Sequence, residues 1–247
     1  MSRTSYLVKN ISLLTLSQFG IKFLSFFLLP LYTNILTTNE YGTFDLLSTT
    51  VSLFIPILTL GISSGILRYA MEKNTDKKAV FSYGFKFFFI SSFIIFLLLL
   101  INYIFSFNTI IKQNSLFMFL LFVSMNLNGI ISNFTRGLEK ISLIAIGGIV
   151  CTLFTALLNI YFLLFLKLGL KGYLLANILG SFSQILFLSL TTKIWKYFTL
   201  KKIDINLKKD ILSYSKPLVA NDISWWVNNV SDRYIVTWLC GVAENGI

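Results

Sequence analysis

Long apolar runs separated by short polar stretches make up most of the chain. Six of them, with a seventh near the end, are long enough to cross a bilayer as helices, which takes about 20 mostly apolar residues. They fall at roughly 10–36, 44–71, 82–105, 115–135, 141–166, 170–192 and 212–239. Membrane barrel strands would instead alternate over about ten residues. The pattern therefore predicts an all-α, polytopic membrane helix bundle.

The amino-acid composition is that of a protein embedded in a lipid bilayer. Of 247 residues, 55% are hydrophobic, 13% are charged and 25 are Phe, and the mean hydropathy is +0.77. The first run is too long for a signal-peptide core and lacks a cleavage site of small residues, so we expect it to remain as a helix. Cys151 and Cys240 fall in predicted spans, which argues against a disulfide framework or a zinc site. We expect no metal and no cofactor.

The basic residues indicate the orientation. With the N-terminus inside, the predicted outer loops contain only Lys112, Lys167 and Lys171 of the 21 Lys and Arg residues. Most of the others lie in the predicted inner stretches, so the positive-inside rule places the N-terminus in the cytoplasm. The same rule accounts for the net charge of +11 without nucleic acid. The Lys-rich stretch 193–211 is predicted to be a cytoplasmic linker that contacts anionic headgroups.

Polar residues repeat at helical spacing inside the predicted spans. The second span has the longest stripe, a ridge with a proline at its centre, where we expect a kink. Such residues usually face a bundle interior or a watery cavity. The stripes are Thr15, Gln18, Lys22 and Ser25; Asp45, Thr49, Ser52, Pro56, Thr59 and Ser63; Asn126, Gly129, Asn133 and Arg136; Thr152, Thr155 and Asn159; Asn177, Gly180 and Gln184; and Asp222, Trp226, Asn229 and Arg233.

Small and amide residues in these stripes have an alternative role, because they also join helix to helix in static membrane bundles. That role does not explain Lys22 and Arg233, whose burial costs several kcal/mol unless a partner or water relieves it. Lysines outnumber arginines 17 to 4, so Arg68, Arg136 and Arg233 stand out as planar, bidentate donors that suit phosphate. For Arg68, snorkelling to headgroups is the alternative. Asp232 can form an internal ion pair with Arg233, and Asp222 or Asp232 can couple transport to an ion gradient.

A short motif recurs at an offset of 204 residues. Glu40-Tyr41-Gly42 follows the first span, and Glu244-Asn245-Gly246 follows the seventh. A six-helix period returns the chain to the same side of the membrane, which predicts a parallel repeat. We therefore expect residues 1–211 to form a six-helix lobe with its linker. Residues 212–247 are then the first helix of a second, truncated lobe.

Three segments carry a family resemblance. Residues 28–36 (LLPLYTNIL) with Glu40-Tyr41-Gly42, the stretch from Ile55-Pro56 to Leu67-Arg68-Tyr69, and Ser231-Asp232-Arg233-Tyr234 with residues 241–246 resemble polysaccharide-biosynthesis flippases of the O-antigen and teichuronic-acid type. These belong to the multidrug/oligosaccharidyl-lipid/polysaccharide (MOP) exporter superfamily. The resemblance covers essentially the whole chain, but its motifs do not fix a substrate.

The resemblance implies a two-lobe transporter of the bacterial inner membrane, without enzymatic activity. Its cargo would be a polyprenyl-diphosphate-linked oligosaccharide, moved from the cytoplasmic to the outer leaflet in biosynthesis of cell-surface polysaccharide such as lipopolysaccharide. Lys22, Arg233 and Arg68 are then expected to counter the diphosphate. The cavity residues Asp45, Asn126, Asn133, Asn177 and Gln184 would add polar contacts, the amides to sugar hydroxyls. Other expected partners are membrane lipids and the polysaccharide assembly machinery.

Three other readings stay open on the sequence. One is an ion-coupled multidrug exporter of the same superfamily. Another is an integral-membrane glycan polymerase or glycosyltransferase, although the chain has no His and its acidic residues are scattered. The last is a membrane scaffold that transports nothing.

Overall fold

The computed structural model describes the backbone of residues 3–201 and 203–246, and the side chains of these residues except 3–11, 13, 14, 16, 24 and 25. All regular structure in this part of the chain is helical, so the predicted all-α class is confirmed. The α-helices are α1 Arg3–Ile35, α2 Thr38–Thr59, α3 Ile62–Met71, α4 Lys77–Phe105, α5 Thr109–Gln113, α6 Ser115–Gly137, α7 Ile141–Asn159, α8 Gly169–Thr192 and α9 Ile205–Cys240. A π-helical turn, Ile160–Phe165, continues α7, and short 3₁₀ turns span Ile194–Tyr197 and Glu244–Gly246.

Five of these helices are long and apolar enough to cross a membrane, judged by length and composition: α2, α4, α6, α7 with its π-helical turn, and α8. They coincide with the second to sixth predicted spans, and the chain is a multi-pass membrane protein. Helices α1 and α9 match the first and seventh spans in position, and their crossing of the membrane stays a prediction. The side chain of Ser25, in the first predicted stripe, lies outside the described residues.

The second predicted span is divided in two. It starts at a capping box, in which the Thr37 hydroxyl accepts from the Glu40 N–H and the Glu40 carboxylate accepts from the Thr37 N–H. The α-helix continues past Pro56 and ends at Thr59, and Leu60 and Gly61 adopt positive φ angles of 52° and 64° before α3 begins. The span therefore breaks at an elbow at Leu60–Gly61, one turn beyond Pro56, where glycine permits left-handed backbone. A kink at Pro56 itself stays a prediction.

The helices run antiparallel and define two ends of the bundle. We call the end with the α1–α2 and α8-entry turns the upper end, and the end with the α3–α4 turn the lower end. Helix α8 packs against α6 and α7, α1 lies against α7, and α3 contacts α4, α6 and α9. Large apolar side chains such as Phe93, Phe105 and Phe165 stay exposed on the outside. That arrangement suits a bundle whose solvent is lipid.

The Lys-rich segment after α8 is shorter than predicted and is packed against the lobe. Helix α9 begins at Ile205, because the Asp204 side chain caps it by accepting from the Asn206 N–H at 3.3 Å. Before it, the Thr199 N–H donates to the Ser82 hydroxyl of α4 at 2.8 Å. The segment therefore holds α9 close to the first lobe, and the predicted boundary at residue 211 falls inside a continuous helix.

Candidate functional site

The predicted polar ridge of α2 faces α9. We call this contact between α2, α3 and α9 the seam. At its upper part, the Arg233 guanidinium forms an ion pair with the Asp45 carboxylate, and the Asn245 amide donates to the same carboxylate at 3.3 Å. Asp45 is buried, with 8% of its surface exposed. A buried carboxylate is retained in a membrane helix only with such partners, so the pair joins α9 to the first lobe.

Two aromatic residues of α9 continue the seam towards the lower end. The Trp226 indole N–H donates to the Thr49 carbonyl at 3.0 Å, and the Tyr234 hydroxyl hydrogen-bonds to the Thr50 hydroxyl. The two rings contact each other, with centroids 5.3 Å apart. Both aromatic polar groups are thus satisfied within the bilayer region, as buried Trp and Tyr require.

The two copies of the repeated Glu-x-Gly motif touch each other at the upper end. A Cβ added at Gly42 would strike the Val242 carbonyl and lie 3.2 Å from the Gly246 nitrogen. A Cβ added at Gly246 would strike the Thr38 carbonyl and lie 3.0 Å from the Gly42 nitrogen. Only glycine permits such close approach of two backbones. The motif is therefore also a contact between the predicted lobes.

Helix α9 returns to close contact with α3 near the lower end. A Cβ added at Gly61 would lie 3.0 Å from the Ser215 carbonyl, and one at Gly65 would lie 2.9 Å from the Ile211 side chain. Small residues let membrane helices approach in this way. The seam is thus closed at both ends.

Between these contacts lies a cavity of about 340 Å³, which we call the seam cavity. Asp222 is half-buried there, and the Trp225 ring is exposed. The polar stripe of α9 includes Asp222 but not Trp225. Trp225 follows Asp222 by three residues and therefore lies on the same helix face, and this spacing could have identified it. The lining residues are Ser52, Ile55, Pro56, Thr59, Gly61, Ser63, Asn221, Asp222, Trp225 and Trp226.

Arg68 occupies a separate cavity of about 550 Å³ near the lower end. Its guanidinium carbon lies 4.5 Å from the centre of the Tyr214 ring, and its Nε lies 3.8 Å from a Glu72 carboxylate oxygen. The side chain is 54% exposed. Stacking on Tyr214 orients the planar guanidinium while its edge stays open to a ligand or to headgroups.

The other predicted charged residues lie in open settings. Lys22 is on the exposed side of α1, and no hydrogen bond or ion pair joins it to another residue in the described part of the chain. Asp232 is exposed, and its carboxylate accepts from the backbone N–H of Arg233 at 2.9 Å. Within residues 3–201 and 203–246, the Arg233 guanidinium pairs with Asp45 and not with Asp232. Of the three predicted cations, Arg233 is therefore ion-paired, Arg68 is stacked on an aromatic ring and Lys22 is open.

Two of the predicted amides join helices. The Asn126 amide donates to the Ser91 hydroxyl at 2.9 Å, which links α6 to α4. The Gln184 amide oxygen accepts from Asn128 at 3.0 Å, which links α8 to α6. These contacts match the packing role that the sequence left open. Asn128 is not part of a predicted stripe, because its partner is visible only once α6 and α8 are side by side.

The remaining amides are less engaged with other helices. Asn177 donates to the carbonyl of Tyr173, one turn earlier in α8, at 2.8 Å. It also lines a cavity of about 390 Å³ between α1, α7 and α8. Asn133 is half-buried on α6. A contact of either amide with a sugar stays a prediction.

Comparisons with known proteins agree with this architecture. The model of a family described as polysaccharide biosynthesis protein matches residues 7–247. A structure of the MATE transporter ClbM in complex with Rb⁺ superposes with a TM-score of 0.64 at 17% identity, over 97% of this chain and 56% of that one. An outward-facing multidrug resistance MATE family transporter of the MOP superfamily gives 0.51 at 16% identity, over 96% and 59%. The chain thus spans less than two thirds of either transporter, and no curated protein matches it.

Proposed function

Because the chain belongs to the polysaccharide biosynthesis protein family, we propose that it serves as a flippase for a polyprenyl-diphosphate-linked oligosaccharide. The family match and the structural neighbours support a transporter of the MOP superfamily type. In the proposed reaction, the headgroup crosses from the cytoplasmic to the outer leaflet along the seam, and the prenyl tail stays in lipid. No covalent bond forms or breaks.

The polar seam between the first lobe and α9 is the observation that carries the proposal. Polar groups in a membrane are costly, so packing of helices alone does not explain a cavity lined by Asp222, Asn221 and Ser52. A polar cargo that enters the membrane needs such groups to replace its water. The seam therefore supports a cargo with many hydrogen-bonding groups.

The diphosphate is assigned to the open cations. Lys22 has no partner among the described residues, and the Arg68 guanidinium has an open edge above Tyr214. Arg233 is less available, because a phosphate would have to displace Asp45 from it. We therefore place Lys22 and Arg68 first as phosphate ligands, and Arg233 as a cation that binds cargo only when the upper seam opens.

The proposed orientation puts the lower end in the cytoplasm of a bacterial inner membrane. The lower end holds Lys73, Lys77 and Lys78 before and within the first turn of α4, and Lys193, Lys196 and Lys201 after α8. The upper end holds Lys112, Lys167 and Lys171. This asymmetry supports a cytoplasmic N-terminus, and it places Arg68 where a lipid-linked headgroup would first arrive.

Complementation tests the proposal. The full-length gene is expressed in a flippase-null strain, and surface glycan is measured with protein level for the wild type, Lys22→Ala and Arg68→Ala. We expect the wild type to restore glycan and both variants to lose most of it. The matched control is Lys171→Ala, an exposed cation at the upper end, which is expected to behave as wild type. Full surface glycan in both the Lys22→Ala and the Arg68→Ala variants at normal protein levels would contradict the assignment of phosphate ligands.

A multidrug exporter is the second candidate, because both structural neighbours are MATE transporters and one is described as a multidrug resistance protein. The seam cavity also contains a carboxylate beside an indole ring, a pair that attracts organic cations. Efflux of a cationic dye from cells expressing the full-length gene separates the two functions. Dye efflux without any restored glycan would favour the exporter.

A further inference from the structure

The seam cavity is built into the backbone at the elbow of α2 and α3. Pro56 has no N–H, so the Ser52 carbonyl one turn earlier lacks its usual helical donor. The elbow at Leu60–Gly61 then starts a new helix, α3, in whose first turn Ser63 lines the cavity. Ser52 and Gly61 both line the cavity. The wall formed by α2 and α3 thus combines the break between the two helices with the hydroxyl residues Ser52 and Ser63.

Side chains of α9 supply the opposite wall. Trp225 has 63% of its surface exposed, whereas its neighbour Trp226 is buried and hydrogen-bonded to α2. Asp222 and Asn221 stand beside Trp225 on the same wall. The wall therefore offers one open aromatic face, a carboxylate acceptor and an amide that both donates and accepts.

This lining selects among the parts of a lipid-linked headgroup. Among the described residues that line the cavity there is no Lys or Arg, and the Asp222 carboxylate repels phosphate. An organic cation would be attracted, but one ring is a poor cage, and a cation without hydrogen-bonding groups would leave the Ser52 hydroxyl and the Asn221 amide without partners in the ligand. A pyranose ring has both an apolar C–H face and a rim of hydroxyls that donate and accept. Its C–H face matches the Trp225 ring, and its hydroxyls match the polar side chains of Asp222, Asn221 and Ser52.

We propose that the seam cavity is a binding subsite for a neutral sugar ring, with Trp225 stacked on its C–H face and Asp222 and Asn221 bonded to its hydroxyls. This subsite rests on the proposed flippase function, and it implies that the phosphate and the sugar of the headgroup bind at different places. Phosphate is held by Lys22 and Arg68, and a sugar of the headgroup is held at the elbow. A volume of about 340 Å³ is at the small end of ligand pockets, which suits one or two sugar rings.

Saturation-transfer NMR on the purified full-length protein in lipid nanodiscs tests the subsite. The probes are the methyl pyranosides of glucose, galactose, mannose and N-acetylglucosamine, with tetraphenylphosphonium and inorganic diphosphate as competitors. We expect at least one glycoside to bind and to resist both competitors. Trp225→Ala should weaken its binding by about three- to tenfold, the value of an aromatic contact, and Trp225→Phe should restore most of it.

The matched control is Trp238→Ala on the same helix, because Trp238 is 85% exposed and lines none of the described cavities. It is expected to bind as wild type. Asp222→Asn should weaken the same glycoside while the protein stays monodisperse, which covers the case that Trp225→Ala fails to fold. Glycoside binding that is absent, that ignores Trp225 and Asp222, or that tetraphenylphosphonium displaces would overturn the subsite.

The two proposals fail in different ways. If the wild-type gene restores surface glycan but no glycoside binds, the sugar subsite is wrong and the flippase function stands. If a glycoside binds through Trp225 but the gene restores no glycan in flippase-null strains, the subsite stands and the flippase function is wrong.

Discussion

The ion pair between Asp45 and Arg233 predicts an asymmetry between its two partners. The Asp45 side chain is 12% exposed and the Arg233 side chain 48%. Arg233→Gln leaves a nearly buried carboxylate with only the Asn245 amide beside it. Asp45→Asn leaves a half-exposed guanidinium that water or headgroups can solvate. We therefore expect Arg233→Gln to destabilise the docking of α9 more than Asp45→Asn.

The expected size of the effect follows from burial. Breaking a fully buried pair costs about 3–5 kcal/mol, and exposed pairs contribute about 0.2–1 kcal/mol. Because one partner is buried and the other is half-exposed, we expect about 2 kcal/mol for Arg233→Gln and about 1 kcal/mol or less for Asp45→Asn. The double variant should cost less than the sum, with a coupling energy of about 1 kcal/mol.

Unfolding by titration with sodium dodecyl sulfate measures these differences. Tryptophan fluorescence is a suitable signal, because Trp225 and Trp226 lie on the helix wall that faces α2 and α3. Lys216→Gln, an exposed cation on α9, is the matched control and should change little. A larger loss for Asp45→Asn than for Arg233→Gln, or a coupling energy of zero, would refute the idea that the buried carboxylate depends on Arg233.

Three further substitutions probe the contact of α2 with α9, the start of α2 and the proline before the elbow. Gly42→Ala should cost about 1–3 kcal/mol by overpacking in the same titration, whereas Gly129→Ala, which has open space, should not; equal effects would contradict the close contact. Glu40→Ala removes a capping box and the acceptor of the Leu170 N–H, which should lower the free energy of unfolding by about 1–2 kcal/mol. Amide exchange at Leu170 should accelerate, and unchanged exchange would count against the bond. Pro56→Ala should stabilise α2 by up to about 3 kcal/mol and slow its amide exchange, and a loss of stability would show that the proline is needed for packing at the elbow.

The helices and their polar faces are predictable because spacing within one helix is local information. The ridge from Asp45 to Ser63 repeats every three or four residues, and the structure turns that face towards α9. Its partner is not predictable in the same way. Asp45 and Arg233 are 188 residues apart, and no spacing rule links them. The nearer Asp232 is the local choice, and the packing of α9 against α2 overrides it.

Two helix boundaries depend on sequence signals that are weaker than their neighbours. Pro56 is the visible helix breaker, but removal of one N–H does not end a helix, whereas Gly61 with positive φ at the next turn does. The charges after residue 200 indicate a linker, yet Asp204 caps α9 and Ile211, within that helix, is fully buried. In both cases a weaker signal decided the boundary.

The sequence separation between Asp45 and Arg233 also means that the two residues are synthesised at different times. Ribosomes add about 5–20 residues per second, so Arg233 is synthesised roughly 10–40 s after Asp45, which lies 188 residues earlier. During that interval α2 enters the membrane with an unmatched carboxylate, close to the upper surface where water or a translocation factor can solvate it. Arrival of α9 then removes that cost. A nascent chain that lacks Arg233 would keep that cost, because its Asp45 carboxylate stays without its cation in the bilayer.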